Sequence, residues 1–145
     1  MPLPKAMSEQ SETILLVEDN DMVRGLAHTV LVAQHYHVLA ARSGEEALEM
    51  VRRQGRHIAL LVTDMVMPGM GGAQLARELQ GLQPDIKVIL TSGYSGRDEP
   101  LLKTFDNQMA FLPKPYTPES LTKAVATALE PHTRQGICKD TSHLP

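Results

Sequence analysis

At 145 residues, with a formal charge of −3, one Cys and no Trp, the chain has the length of one domain able to bury a core without staples. A lone Cys138 in a polar stretch excludes an internal disulfide and favours a reducing compartment, while interspersed acids and bases offer neither a basic face for nucleic acid nor a polybasic membrane anchor. No apolar run reaches the length of a spanning helix, about 18 residues, and Met1 to Gln10 carry no signal-peptide core, so a soluble, cytoplasmic domain is expected.

Residues 1–10 are polar and Pro-containing, and read as a flexible tail before a domain over 11–131. Thr13-Ile14-Leu15-Leu16-Val17 reads as a buried strand that stops at Glu18-Asp19-Asn20-Asp21, acids suited to the start of a helix. In that helix Val23, Leu26, Ala27, Val30 and Leu31 recur at helical spacing and predict one continuous apolar face. Tyr36 to Ala40 is a second strand. Ser43, with Glu46 three residues on, is a capping box opening a helix with Ala47, Leu48 and Val51 inward and Gly55 as its stop.

The run from Ile58 to Thr63 is too uniformly apolar or β-branched for a half-exposed strand and predicts a third strand covered on both faces. Asp64 ends it, and Met67-Pro68-Gly69 turns the chain away. After Gly71-Gly72 comes a helix carrying Leu75, Ala76 and Leu79, closed by Gly81 and Pro84. Lys87 to Leu90 is a fourth strand running into Thr91-Ser92-Gly93. Tyr94 to Asn107 is interrupted by Gly96 and Pro100, so a short or irregular helix is expected there. Ala110-Phe111-Leu112 is a fifth strand, followed by Pro113-Lys114-Pro115. Thr117 as cap and Pro118 at the first helical position open the last helix, in which Leu121, Ala124, Val125, Ala128 and Leu129 repeat the helical spacing up to Pro131. Residues 132–145 form a second polar tail. Five strands alternating with five helical segments predict an α/β three-layer sandwich around a parallel sheet.

The carboxyl ends of parallel strands are where open α/β sheets bind ligands. That edge would bring together Glu18, Asp19, Asp64, Thr91 and Lys114. Three crowded carboxylates need a cation or raised pKa values to coexist, and a few partly solvated oxygen ligands suit Mg²⁺. A Lys and a hydroxyl alongside supply what a phosphoryl group needs. Each residue alone has a plainer role: helix-start charge for Glu18, Asp19 and Asp21, β propensity for Thr91, a solvated loop end for Lys114. Their meeting from four segments favours phosphoryl transfer to or from a carboxylate.

On Leu16-Val17-Glu18-Asp19, Asp64 with Met67-Pro68-Gly69, Leu90-Thr91-Ser92-Gly93 and Lys114-Pro115, residues 12–130 resemble the receiver domain of two-component signalling, the family of the chemotaxis response regulator. The resemblance implies a flavodoxin-like doubly wound fold, with strand order 2-1-3-4-5 and helices on both faces. Asp64 then matches the phosphoacceptor, Glu18, Asp19 and the Val66 carbonyl the other Mg²⁺ ligands, Thr91 the sensing hydroxyl, and Lys114 its ion-pair partner, followed by a cis Pro115. Phe111 matches an aromatic switch residue that is often Tyr, so coupling through it rests on packing. Implied partners are a histidine kinase or a histidine phosphotransfer protein, with a homodimer through the fourth-strand to last-helix face as one open route. The wording is similar to receivers at the carboxyl end of hybrid sensor histidine kinases, and a single-domain response regulator is the other form. Such a domain is no enzyme beyond its own phosphotransfer and slow dephosphorylation. Val66 and Gly93 offer no side chain to hold a hydrolytic water.

A rival reading is a haloacid-dehalogenase-like phosphatase using Asp19 and Asp21 as nucleophile and acid/base. A flavodoxin-like mononucleotide binder shares the architecture, but its phosphate would meet an acidic first loop. The six His share no ligand spacing and read as surface residues.

Overall fold

The computed structural model describes residues 12–92 and 109–129. Both tails and the expected irregular helix over 94–107 lie outside the described residues. The elements are β1 (Thr13–Val17), α1 (Asp21–Ala33), β2 (His37–Ala41), α2 (Gly44–Gln54), β3 (Leu60–Asp64), α3 (Gly72–Leu82), β4 (Lys87–Ser92), β5 (Met109–Pro113) and α4 (Pro118–Leu129). The strands form one sheet in the order β2-β1-β3-β4-β5, and every neighbouring pair is parallel. This is the flavodoxin-like doubly wound arrangement.

The uniform apolar runs have their cause in this order. Every residue of β1 and β3 is buried, because both strands are internal to the sheet and helices cover both faces. The edge strand β2 is only partly buried. β3 starts at Leu60 rather than Ile58, yet Ala59 already shares the ladder: its N–H donates to the Thr13 carbonyl (2.9 Å) and its carbonyl accepts from Lys87 N–H (3.1 Å).

Alternation along the strands splits the core in two. On one face Leu15, Leu61, Val88 and Leu90 pack with Ala47, Leu48 and Val51 of α2 and with Leu75, Ala76 and Leu79 of α3. On the other, Ile14, Leu16, Leu60, Val62, Ile89 and Leu112 pack with Ala27 and Leu31 of α1 and Leu121 and Val125 of α4. The predicted face of α1 is too wide: Leu26 is 51% exposed. At about 100° of helix rotation per residue, the buried stripe centres on Ala27 and Leu31 and leaves Leu26 at its margin.

The helix ends follow local chemistry. Asn20 caps α1, its side chain accepting from Val23 N–H. Ser43 caps α2 by accepting from Glu46 N–H, and the Glu46 carboxylate reaches back to the Arg42 N–H rather than to that of Ser43, a one-residue variant of the capping box. Gly55 takes the left-handed conformation expected of a stop (φ 61°). α3 runs through Gly81 and ends at Gln83, against the expectation that Gly81 closes it. The Gln83 side chain accepts from Ile58 N–H (2.7 Å) and donates to the Arg56 carbonyl (3.0 Å), bracing the approach to β3.

α1 ends in a left-handed turn with no glycine. His35 has φ 74°, its N–H donates to the Val32 carbonyl and Tyr36 N–H to the Leu31 carbonyl, while Tyr36 packs against the cluster that holds Leu31. A β-carbon in this region costs about 1–2 kcal/mol. His35→Gly should therefore raise stability in urea unfolding by about 0.5–1 kcal/mol after the added chain entropy of glycine is subtracted. A loss of stability would place a compensating role on the imidazole.

Candidate functional site

The site begins with two adjacent strand ends. Asp64 closes β3 in register with Thr91 of β4, and both share the side-chain parity of Val62 and Ile89, on the face covered by α1 and α4. Asp64 is 8% exposed and Thr91 2%. One strand over, Glu18 N–H carries the ladder past β1 to the Ala41 carbonyl (3.1 Å), and the Glu18 carboxylate accepts from Asn20 N–H (3.1 Å). Lys114, just past β5 and followed by a cis bond to Pro115, places its Nζ 3.0 Å from Glu18 Oε1 and 3.1 Å from Asp64 Oδ2. Side chains 18, 64 and 114 thus meet because parallel strands end at a common edge.

Gly72 secures that edge from behind. Its N–H donates to the Met65 carbonyl (2.9 Å), and a β-carbon there would stand 2.3 Å from the Asp64 carbonyl oxygen. Only glycine lets α3 start this close to the backbone carrying the acid. Val66 N–H makes a long bond to Asp64 Oδ1 (3.4 Å), and the Val66 side chain is 64% exposed.

Carboxylate oxygens of Glu18, Asp19 and Asp64 lie within 4.8 Å of one another. Burial pushes the Glu18 carboxyl above its ordinary value and the Asp64 charge adds to this, against the pull of Asn20 N–H and Lys114. For Lys114, burial opposes the charge, but the hydrogen bonds and charges of Glu18 and Asp64 together hold its pKa above the usual lysine range. The Tyr116 hydroxyl is pushed up to about 12, by burial first and then by the Glu18 and Asp64 charges. One ammonium among three acids leaves an excess of negative charge in hard oxygen donors, and this donor set fits Mg²⁺.

The structure therefore brings together Glu18, Asp19, Asp64 and Lys114, with Thr91 beside Asp64 in the sheet. Phe111 is half-buried, in register with Leu90, and alternates with Leu112 so that it belongs to the opposite side of the sheet from Thr91. Asp21 is not one of the clustered acids: its side chain is 80% exposed and pairs with Arg24 at 2.7 Å. That removes the acid/base partner on which the phosphatase reading depended. In the sequence Gly72 marks only a separation before α3, and Arg24 belongs to no motif. The only signal for Arg24 is its i,i+3 spacing from Asp21, common to any solvated helix turn.

A sequence model described as the response regulator receiver domain matches residues 14–126. The chain belongs to the response regulator receiver domain family. The sensor kinase CckA of Brucella abortus (strain 2308) is 42% identical over 120 residues, covering 83% of this chain and 13% of that protein. The transcriptional regulatory protein GlrR of Escherichia coli (strain K12) is 32% identical over 124 residues, 86% of this chain and 28% of that protein. The receiver thus spans a minor part of each relative. Among solved structures, the receiver domain of the hybrid histidine kinase CckA matches with a TM-score of 0.70 at 36% identity, over 81% of this chain and 99% of that one. A response regulator receiver domain from Clostridium thermocellum matches with a TM-score of 0.73 at 26% identity, over 88% and 98%. This receiver is a two-component signalling domain, homologous to hybrid-kinase receivers. No helix among its described residues is long and apolar enough to cross a membrane.

The raised Glu18 pKa means that the folded receiver holds this proton more tightly than the unfolded chain, so ionisation of Glu18 costs stability above its folded pKa. In metal-free buffer at neutral pH, Glu18→Gln should melt a few degrees above wild type. The gain should vanish as pH falls through the Glu18 titration toward the ordinary 4.5, where both forms carry a neutral group. A lower melting temperature at neutral pH would show that the lost Lys114 pair outweighs relief of burial. Gly72→Ala should cost about 1–3 kcal/mol in urea unfolding by overpacking, whereas Gly81→Ala, with nothing within 4 Å of the added carbon, should gain about 0.5–1 kcal/mol. Equal effects at the two glycines would remove the close-approach argument.

Proposed function

We propose that this receiver accepts a phosphoryl group on the Asp64 carboxylate from the phosphohistidine of a histidine kinase or histidine phosphotransfer protein. The observation that carries the reading is Lys114 Nζ held between Asp64 Oδ2 (3.1 Å) and Glu18 Oε1 (3.0 Å) at the carboxyl edge of the sheet. An acid at a strand end is common; an acid with a fixed ammonium and two more carboxylates beside it is built for a charged group to arrive and be neutralised.

In the transfer, the bond from phosphorus to the imidazole nitrogen breaks as a bond to an Asp64 oxygen forms, leaving an acyl phosphate and a free imidazole. Glu18, Asp19, Asp64 and the Val66 carbonyl would hold Mg²⁺, which when bound supplies positive charge for the phosphoryl oxygens. Lys114 pairs with the phosphoryl group once Asp64 carries it. The Thr91 hydroxyl, one strand over, donates to a phosphoryl oxygen, and Phe111 on the next strand repacks in response. Lacking a hydroxyl, Phe111 couples by shape alone. The domain proper spans 11–131, which the match over 14–126 supports. Sensor kinases among the relatives, CckA and the autoinducer 1 sensor kinase/phosphatase LuxN of Vibrio harveyi, support a place in a phosphorelay as the receiver of a hybrid sensor kinase.

Incubation with Mg²⁺ and acetyl phosphate should add one phosphate by intact mass. Asp64→Asn should add none, and omission of Mg²⁺ should slow labelling at least tenfold. Equal labelling of the Asn variant would show that the acceptor lies elsewhere.

A further inference from the structure

The acid pair is held by a residue outside the cluster. Arg24 lies one turn into α1, and its guanidinium reaches back to donate to the Glu18 backbone carbonyl at 2.9 Å while its second nitrogen holds Asp21 Oδ1 at 2.7 Å. Its own N–H donates to the Asn20 carbonyl (2.9 Å), and Asn20 N–H in turn donates to the Glu18 carboxylate (3.1 Å). The Arg24 side chain is 20% exposed, against 80% for Asp21. A pair so open on one side contributes little by itself, so the inward bond to the carbonyl is the one that matters.

That carbonyl belongs to the peptide unit joining Glu18 to Asp19. Its orientation sets ψ of Glu18 and φ of Asp19, and through them the directions in which both carboxylates leave the chain. β1 has ended and the sheet no longer fixes this carbonyl; a rigid, planar guanidinium, itself tethered by Asp21, does so instead.

We propose that Arg24 is the positioning residue of the acid pair, setting its affinity for Mg²⁺ by fixing the Glu18–Asp19 peptide. The proposal rests on the reading that Glu18 and Asp19 hold Mg²⁺. It makes a prediction opposite in sign to that of simple charge: removing a cation from beside three carboxylates should tighten binding of a divalent ion, whereas releasing the peptide should weaken it. Loss of a residue that orients metal ligands typically costs about 10–100-fold in affinity.

Calorimetric titration of the full chain with MgCl₂ tests this directly. Arg24→Met, close in length but without donors, should bind Mg²⁺ about tenfold more weakly than wild type, and Arg24→Lys, which keeps one donor and the charge, should fall between. With acetyl phosphate as donor, the Mg²⁺ concentration for half-maximal labelling should rise by the same factor while the rate at saturating Mg²⁺ stays within twofold. Mg²⁺ binding by Arg24→Met that is unchanged or tighter overturns the proposal, as does a fall in the saturating rate at constant half-saturation. If Arg24→Met melts below the assay temperature, the Lys variant carries the same reading: weaker binding supports positioning, unchanged or tighter binding overturns it. A wild-type chain that binds no Mg²⁺ would sink the metal reading itself, before Arg24 is at issue.

Discussion

Mutual repulsion among three carboxylates is the constraint around which this receiver is arranged. Glu18, Asp19 and Asp64 approach within 4.8 Å, and two of them are almost wholly shielded from solvent. Water would screen such a group well; a sheet edge under two helices does not. Lys114 offsets part of the repulsion by pairing with Glu18 and Asp64, and Asn20 N–H offsets a little more. Ionised Glu18 nevertheless remains disfavoured, chiefly because the group is buried and to a smaller degree because Asp64 is charged, and its pKa stands above the ordinary value. A protein selected for stability alone would not keep this arrangement, and locally destabilised clusters of this kind mark where function is built.

The rest of the fold makes that clustering affordable by being rigid. Central strands buried along their whole length and a core of Leu, Ile, Val and Ala leave the carboxyl edge little freedom to relax by splaying. Parallel topology matters more than composition here. Residues 18, 64, 91 and 114 are far apart along the chain, yet each lies at or just past the carboxyl end of a strand, and parallel strands put all such ends on one side. Gly72 then presses α3 against the Asp64 backbone, so the strand carrying Asp64 is fixed along its ladder and from its exit.

Much of this was legible in the residues because it depends on patterns a single stretch reveals. Uniform apolar runs announced internal strands, Ser43 and Gly55 marked the ends of α2, and Asp64 before Met67-Pro68-Gly69 located the edge. The misses share a physical origin. Helical spacing points Leu26 inward, yet it is exposed, because periodicity locates a stripe but not its width, which depends on what packs opposite. His35 hides a helix-ending turn usually signalled by glycine, since the Leu31 and Tyr36 packing and two backbone bonds outweigh the cost of its β-carbon. Gly81 looked like a stop and is helical because Gln83, tied to Arg56 and Ile58, ends α3 instead. Arg24 could not be recognised as a brace, because its target is a backbone carbonyl and every residue has one.

The same electrostatics indicate how a charge arriving at Asp64 can be felt elsewhere. Lys114 now divides its hydrogen bonds between Glu18 and Asp64, and it sits on the short connection between β5 and α4. Converting Asp64 to an acyl phosphate moves negative charge from the carboxylate oxygen that Lys114 holds onto phosphoryl oxygens farther out. An ammonium on a flexible stem can follow only by leaving Glu18 or by drawing its backbone along. Leaving Glu18 would strip a buried acid of its cation, which the cluster tolerates only if another positive charge is present. Drawing the backbone along shifts the start of α4, whose Leu121 and Val125 pack in the same cluster as Leu31 of α1 and Leu112 of β5. A ligand shifts a conformational equilibrium only through interactions that differ between the two states, and the Lys114 pair differs in either case. Under the proposed phosphorylation of Asp64, Lys114 would therefore be the point at which the new charge is converted into movement of the β5–α4 side, and Phe111, two positions before the end of β5, would repack as a consequence of that movement rather than as its source.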